Sequence, residues 1–129
     1  MSLRRYEAVM KAVADPTRVR MLKMLESGEL CVCQIIAVLA LSPSTVSKHL
    51  FLLKSARLLN DRKEKKWVHY SLDLANEDPM VSGILKELSA WLNRDPVIVA
   101  DRARLAEVRT EMGPAAVGLA TAICAGAAP

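Results

Sequence analysis

Two cysteines separated by one residue, Cys31 and Cys33, are the side chains in this sequence best suited to bind a soft ion. Thiolate sulfur selects soft acceptors, and a trivalent metalloid takes three such sulfurs in a pyramid. Both cysteines lie where apolar spacing predicts the start of a helix, and a helix N-terminus favours the thiolate over the thiol. The pair therefore predicts a binding site for a metalloid or a soft metal ion.

The spacing of this pair restricts how it can hold one ion. Two residues along an α-helix correspond to a rotation of about 200°, so the two side chains are predicted to point to nearly opposite faces. Binding both sulfurs to one ion then requires the first helical turn to distort or unwind. Cys124 lies far along the chain. It is either a third sulfur ligand or a small buried apolar residue, and a small-molecule thiol is the other source of a third sulfur.

The segment of residues 29–53 is typical of two short helices joined by a tight turn. Ser42 can cap a backbone N–H at the start of the second helix, and Pro43 at the first helical position has no N–H to leave unpaired. That helix is predicted to run from Pro43 to about residue 55, with an apolar stripe at i, i+4 and i+7 as its buried face.

Hydroxyls, a lysine and a histidine occupy the outer side of this second helix. Such groups can contact base edges and phosphates in a DNA major groove, with the first helix crossing above as in a helix-turn-helix. An ordinary helical hairpin with a solvated polar face is the alternative, because such hairpins are common. The candidate DNA contacts of this segment are Ser42, Ser44, Thr45, Ser47, Lys48 and His49.

Alternating hydrophobicity then predicts a β-hairpin, with strands at residues 58–61 and 67–72 around a strongly basic turn. We interpret this hairpin as a wing whose cations lie along DNA phosphates and add salt-dependent affinity. A solvated charged hairpin is the alternative. A two-residue turn at Glu64 and Lys65 would need strained positive φ, so a longer or looser loop is expected. The candidate phosphate contacts are Arg62, Lys63, Lys65 and Lys66.

Taken together, these motifs resemble one known family over about residues 6–73. The residues that carry the resemblance are Ala14-Asp15-Pro16-Thr17-Arg18, Glu29-Leu30-Cys31-Val32-Cys33, Ser42, Thr45-Val46-Ser47-Lys48-His49-Leu50, Asp61-Arg62-Lys63 and Trp67-Val68-His69-Tyr70. The chain resembles the ArsR/SmtB family of metalloid- and metal-responsive repressors, and residues 29–33 resemble its arsenic- and cadmium-type branches. The resemblance implies a winged helix-turn-helix, a homodimer, double-stranded operator DNA as partner, and As(III) or Sb(III) as inducer.

The chain departs from that family's pattern in several places. The arsenic branch often has a third cysteine where this chain has Ile36, and the wing tip usually has a glycine where this chain has Glu64 and Lys65. Cadmium-type relatives have cysteines before the first helix, where this sequence has none. Relatives with a helix-borne zinc site need histidine in the dimer helix, and residues 79–94 contain none. Tetrahedral zinc is therefore disfavoured.

The remaining helices are predicted at residues 3–14, 16–27, 79–93 and 96–112 from apolar spacing and from their start and stop residues. The basic residues of the second of these, Arg18, Arg20 and Lys23, are expected to form a solvated face. We take the core to be supplied by the preceding helices, so the apolar stripe of residues 81–92 is expected to form a dimer surface with the first helix. The candidate interface residues are Tyr6, Val9, Val13, Leu85, Leu88, Trp91 and Leu92.

The predicted fold class is mainly α: a winged helix-turn-helix of five to six helices with a two-stranded antiparallel wing. Residues 1–94 are expected to form the DNA-binding and dimerisation domain. Residues 95–129 are expected to form a C-terminal helix and an Ala- and Gly-rich tail that packs on that domain or trails from it.

Composition fits this interpretation and excludes several classes of protein. The net charge of +4 and the pI near 9.2 suit a polyanionic partner, while an aromatic content of 4% argues against stacking on single-stranded nucleic acid. Three cysteines fit poorly with a secreted disulfide framework. With no signal sequence and no apolar run of about 18 residues, we expect a cytoplasmic protein without a membrane partner.

The function expected from the sequence and the resemblance is a dimeric repressor that leaves operator DNA when As(III) or Sb(III) binds its thiolates. Two alternatives keep the DNA binding: a repressor that responds to Cd(II) or Pb(II), and a regulator switched by oxidation of the vicinal thiols. A thiol enzyme such as an arsenate reductase, with its catalytic cofactors, is not expected. Cys31-Val32-Cys33 lacks the phosphate-cradling loop that such chemistry needs.

Overall fold

Six helices and three short strands make up residues 2–112, the part of the chain that the computed structural model describes. They form the predicted winged helix-turn-helix, so the fold class is confirmed. No single helix in this part is long and apolar enough to cross a membrane. In chain order the elements are α1 (Leu3–Val13), α2 (Pro16–Leu25), β1 (Leu30–Cys31), α3 (Val32–Leu39), α4 (Pro43–Ser55), β2 (Leu59–Glu64), β3 (Trp67–Leu72), α5 (Pro79–Ala90) and α6 (Pro96–Glu111).

The helices α2, α4, α5 and α6 begin with the same local signal, a capping side chain followed by proline. Asp15, Asp78 and Asp95 accept hydrogen bonds from backbone N–H groups of the first turns, and Ser42 does so in α4. Proline leaves no N–H unpaired at this position, and a carboxylate interacts favourably with the helix dipole. Because caps are local, these four starts lie where the sequence predicted them.

The wing belongs to a three-stranded antiparallel sheet with the strand order β1-β3-β2. β2 and β3 form the predicted antiparallel pair, but β2 continues to Glu64, three residues beyond its predicted end at residue 61. β1 is a two-residue strand in which Leu30 pairs with Tyr70 and Cys31 pairs with His69. The sequence did not predict β1, because two residues are too few to show an alternating pattern. This pairing attaches the cysteine segment directly to the wing.

A two-residue turn, Lys65 and Lys66, closes the wing, since Glu64 and Trp67 are the last paired residues. The expectation of a longer or looser loop was therefore wrong. Lys65 adopts a left-handed φ of 56°, a conformation that costs a non-glycine residue about 1–2 kcal/mol. Continuous pairing of the two strands up to Glu64 and Trp67 offsets this cost.

The hydrophobic core is built from side chains of all six helices and of β1 and β2, and α5 contributes its inner face. Val9 and Val81 are fully buried, and Leu85 and Leu88 are each 5% exposed. The premise that the preceding helices already fill the core was therefore wrong. The apolar stripe of α5 completes the core of the protomer before any partner is present.

Ionic contacts hold α6 against α2. Asp101 is buried and accepts two hydrogen bonds of 2.8 Å from the guanidinium of Arg20. Lys23 is 1% exposed, lies 3.0 Å from a carboxylate oxygen of Glu26, and donates to the backbone carbonyl of Leu88. The expected solvated face of α2 is therefore covered, because α6 and the end of α5 supply acceptors that apolar spacing does not reveal.

Replacing Asp101 with alanine is expected to lower the free energy of unfolding by about 2 kcal/mol, because it leaves the partly buried Arg20 without its partner. Urea denaturation measures this change. Glu107→Ala on the same helix is the matched control, since Glu107 pairs with Arg104 at the surface and such pairs contribute less than about 1 kcal/mol. Equal destabilisation of the two variants would contradict the role assigned to Asp101.

Candidate thiol site and nucleic-acid interface

Cys31 and Cys33 bring their sulfur atoms together at the start of α3, with the two Sγ atoms 2.8 Å apart. Cys31 is the N-cap residue, with an extended backbone of φ −70° and ψ 147°, and the helix begins only at Val32. The prediction that the two side chains point to opposite faces was therefore wrong, because Cys31 lies outside the helical turn. The two sulfur atoms therefore converge without any unwinding of α3.

Burial controls the protonation of the Cys31 thiol. Its half-buried position raises the pKa of this thiol, and hydrogen bonds from the backbone N–H groups of Cys33 and Gln34 lower the pKa by less. The prediction that the helix N-terminus favours the thiolate was therefore wrong for Cys31. The side chain of Gln34 completes a capping box, because its Oε1 accepts a hydrogen bond from the backbone N–H of Cys31 at 2.9 Å. Cys124, the predicted third ligand, lies outside the described residues.

A cavity of about 340 Å³ opens beside the two cysteines. Three parts of the fold line it: the start of α3, the wing, and the residue that follows α6. The sequence did not predict that the wing would border the two cysteines, although the alternation in β3 placed Trp67 and His69 on one face. The lining residues are Cys31, Cys33, Gln34, Glu64, Lys65, Trp67, His69 and Met112.

An ion-pair network joins the cysteine segment to the wing. Glu29, just before β1, accepts hydrogen bonds of 3.0 Å and 2.7 Å from Nε and Nη2 of Arg62. Glu64 accepts another from Nη1 of Arg62 at 2.9 Å. The hydrogen bond from Arg62 is the main cause that lowers the pKa of Glu29. Arg62, a predicted phosphate contact, is thus bound to two carboxylates, and it is exposed, as are Lys63, Lys65 and Lys66.

Cys31, His69 and Arg62 are adjacent across the three strands, since Cys31 pairs with His69 and His69 pairs with Arg62. Nδ1 of His69 also lies 3.8 Å from a carboxylate oxygen of Glu29. Glu29 and His69 are functional candidates that sequence reasoning assigned no part in the thiol site. The sequence shows the charge of Glu29, but it does not reveal the partner of that charge, Arg62, which lies 33 positions away.

The helix α4 has its predicted bounds. Some of the polar side chains assigned to its outer side are turned to solvent. Ser44, Ser47 and Lys48 are exposed. Ser42 is used as the cap, with its Oγ 3.2 Å from the Thr45 nitrogen and 2.8 Å from Thr45 Oγ1. Ser42, which is also exposed, and the half-buried Thr45 therefore shape the start of the helix, while Ser44, Ser47 and Lys48 are turned to solvent.

Arg18 fixes α4 to the rest of the protomer. Its guanidinium donates to the backbone carbonyls of Ala12 at 2.8 Å and Lys11 at 2.9 Å, and Nη1 lies 3.3 Å from Nδ1 of His49. His49 is half-buried against α2. Arg18, expected to be solvated, is thus a positioning residue, and His49 contacts the protein as well as bordering the outer face.

Comparison with known proteins decides the family. Residues 15–61 match the sequence profile described as bacterial regulatory protein, arsR family. Over 97 residues the chain is 38% identical to the arsenic resistance transcriptional regulator ArsR1 of Pseudomonas putida, a match that covers 72% of this chain and 76% of that regulator. The chain belongs to the arsR family of bacterial regulatory proteins.

A second relative of this ArsR-family protein is named as a repressor, and a solved structure shares its fold. The chain is 49% identical over 63 residues to the arsenical resistance operon repressor of Escherichia coli, covering 48% of this chain and 54% of that repressor. Its structure resembles that of HlyU from Vibrio cholerae with a TM-score of 0.59 and 32% identity, covering 70% of this chain and 96% of that chain. These matches agree with a DNA-binding winged helix.

The residues that the sequence assigned to a dimer surface separate into two groups in this ArsR-family protein. Val9, Leu85 and Leu88 are inside the protomer core, and Val13 is half-buried. Tyr6 is 49% exposed, and Trp91 and Leu92 are exposed because α5 ends at Ala90, earlier than predicted. Leu92 has a left-handed φ of 66° in the turn toward α6.

Proposed function

We propose that this ArsR-family regulator is a homodimeric, cytoplasmic repressor that binds operator DNA and dissociates when As(III) or Sb(III) binds Cys31 and Cys33. The observation that carries the proposal is the 2.8 Å separation of the two Sγ atoms at the end of the strand that pairs with the wing. Residues 1–94 would bind DNA and form the dimer, and residues 95–129 would pack on them or trail from them.

The donor set favours a trivalent metalloid over a tetrahedral metal. Among residues 2–112, no group of three or more His, Cys, Asp and Glu side chains is placed to hold a metal ion. Two soft sulfurs supply two of the three ligands of a three-coordinate metalloid, but only two of the four ligands of a tetrahedral metal. Cys124 or a small-molecule thiol would supply the third sulfur.

A Cd(II)- or Pb(II)-responsive repressor is the second candidate. The chain is 47% identical over 66 residues to a cadmium resistance regulatory protein CadC homolog of Staphylococcus aureus. That match covers 50% of this chain and 54% of the relative, so it supports the shared DNA-binding segment more than the ligand.

Release would pass through the wing. Cys31 is both the last residue of β1 and the N-cap of α3, so a ligand that moves Cys31 acts on β3 through strand pairing. It also acts on Arg62 through the neighbouring Glu29. Allostery requires contacts that differ between two states, and these two connections supply them without crossing the hydrophobic core.

Fluorescence-monitored release from an operator duplex tests the proposal. The duplex is first selected from a randomised pool by the inducer-free protein, and the complex is then titrated with As(III), Sb(III), Cd(II), Pb(II) and Zn(II). Release by As(III) and Sb(III) at the lowest concentrations is expected. Release first by Cd(II) or Pb(II) would favour the second candidate, and release only by an oxidant would indicate a redox switch.

Lys65→Ala and Lys66→Ala are expected to weaken binding to all duplexes to a similar degree, because both side chains are exposed at the wing tip and phosphate contacts carry no sequence information. The log–log salt slope should fall by about 0.9 for each phosphate that the variant no longer neutralises. Lys86→Ala on the exposed side of α5 is the control and should leave the slope unchanged. A change of sequence preference without a change of slope would count against the wing assignment.

Tyr6→Glu is expected to dissociate the dimer, because α1 carries an apolar stripe that the protomer leaves partly open: Leu3, Tyr6, Met10 and Val13. Sedimentation equilibrium gives the mass. Leu88 is a poor probe, since its substitution would disrupt the core. Leu74→Glu is the control, because Leu74 is 73% exposed in the turn after β3. An unchanged dimer mass for Tyr6→Glu would refute this interface.

A further inference from the structure

The single phenylalanine of the chain, Phe51, lies on α4 and is 68% exposed. A large apolar side chain so exposed on an ordered helix leaves apolar surface in water, at about 25 cal/mol for each Å². The buried stripe of α4 is satisfied by other residues, which face the core. Phe51 therefore does not contribute to the hydrophobic core and is accessible to a binding partner.

Helical geometry places Phe51 with the polar residues that are turned outward. At about 100° per residue, Ser44, Lys48 and Phe51 each lie within about 50° of the direction opposite to the buried stripe. Ser47, Lys48, Phe51 and Leu52 line a shallow depression of about 410 Å³ on this surface. Lys48 and Ser47 thus place an ammonium group and a hydroxyl on the same surface as the ring, and this combination suits a polyanion with apolar groups between its charges.

Double-stranded DNA is such a partner, and its major groove offers one apolar group on the base edges, the 5-methyl group of thymine. We infer that Phe51 is a specificity-determining residue that packs against a thymine methyl group in each operator half-site. This inference rests on the proposed function, since it requires α4 to enter the major groove. Lys48 would hold the adjacent phosphate, and Ser44 and Ser47 would contact polar base edges.

Uracil replacement tests the inference, because deoxyuridine differs from thymidine in the base only by the missing methyl group. The probe is the duplex that the wild-type dimer selects from a randomised pool, resynthesised with deoxyuridine at one thymidine at a time. Burial of one methyl group corresponds to about a fourfold change in affinity. Wild-type protein should therefore bind about fourfold more weakly when one particular thymidine in each half-site is replaced, and Phe51→Ala should bind the two duplexes equally.

Leu52→Ala is the matched control, since it removes a neighbouring exposed apolar side chain from the same helix and should keep the fourfold ratio. Circular dichroism confirms that both variants are folded. Loss of the ratio in Leu52→Ala instead of Phe51→Ala would overturn the assignment, as would a wild-type protein indifferent to every substitution. An altered dimer mass in Phe51→Ala would assign Phe51 to a second copy and also overturn it. Selection of no duplex at all would reject the proposed function itself.

Discussion

A Cys31→Ser variant is expected to bind operator DNA as the wild type does and to remain bound when arsenite is added. The hydroxyl replaces one of two sulfurs that lie 2.8 Å apart, and oxygen is a poor ligand for a soft metalloid. Loss of even an outer-shell partner costs a metal site about 10–100-fold in affinity, so loss of this ligand should raise the releasing concentration by more than about 100-fold.

Two further cysteine variants and a spectroscopic measurement complete that test. Cys33→Ser should behave like Cys31→Ser, whereas Cys124→Ser should weaken the response or leave it intact. X-ray absorption without added thiol counts the sulfurs around arsenic in the wild type and in Cys124→Ser. Three sulfurs around arsenic in the wild type and two in Cys124→Ser would place Cys124 at the site. A Cys31→Ser protein that still released DNA with arsenite would reject the central proposal.

Glu29→Ala is expected to tighten DNA binding and to weaken the response to arsenite. The carboxylate of Glu29 holds Arg62 by three contacts of 2.7 to 3.2 Å, so its removal frees a guanidinium for a phosphate. The salt slope should rise by about 0.9 for each additional phosphate that is neutralised. Allosteric coupling is typically about 5–150-fold, and we expect the ratio of operator affinities without and with arsenite to fall at least about fivefold.

Glu64→Ala separates the two effects of Glu29→Ala. Glu64 contacts the same guanidinium at 2.9 Å, but it belongs to the wing and not to the cysteine segment. The Glu64 variant should therefore bind DNA more tightly and still release it with arsenite. If both variants kept a normal arsenite response, the connection between Glu29 and Arg62 would not transmit the signal.

Helix starts, strand pairing in the wing and the outer residues of α4 were predictable because their causes are local. Asp15 and Ser42 cap helices whose first residue is proline, and a cap needs only its neighbours in sequence. The same local reasoning failed at Cys31 by one residue. A helix that begins at Val32 rather than before Cys31 converts two opposed sulfurs into a convergent pair.

The remaining errors concern contacts between residues far apart in sequence. Arg20 meets Asp101 and Glu29 meets Arg62 over separations of 81 and 33 positions, and no periodicity reports such pairs. The stripe of α5 showed correctly that one face is buried, but periodicity alone does not say whether the cover is the same chain or a second copy. Leu88 lies under the helices of its own protomer.

The antiparallel pairing of Cys31 with His69 and of His69 with Arg62 has a consequence for how new specificities can arise in this scaffold. Neighbouring strands are spaced about 4.8 Å apart, so Cys31 and Arg62 stand about 10 Å from each other across the sheet. Under the proposed function, the sheet would transmit a displacement of backbone, whatever atom causes it. Exchanging the residues at positions 31–34 for other donors would then change the recognised ion while the DNA response stays in place. Sensors for different ions would share the same wing and the same DNA-binding surface.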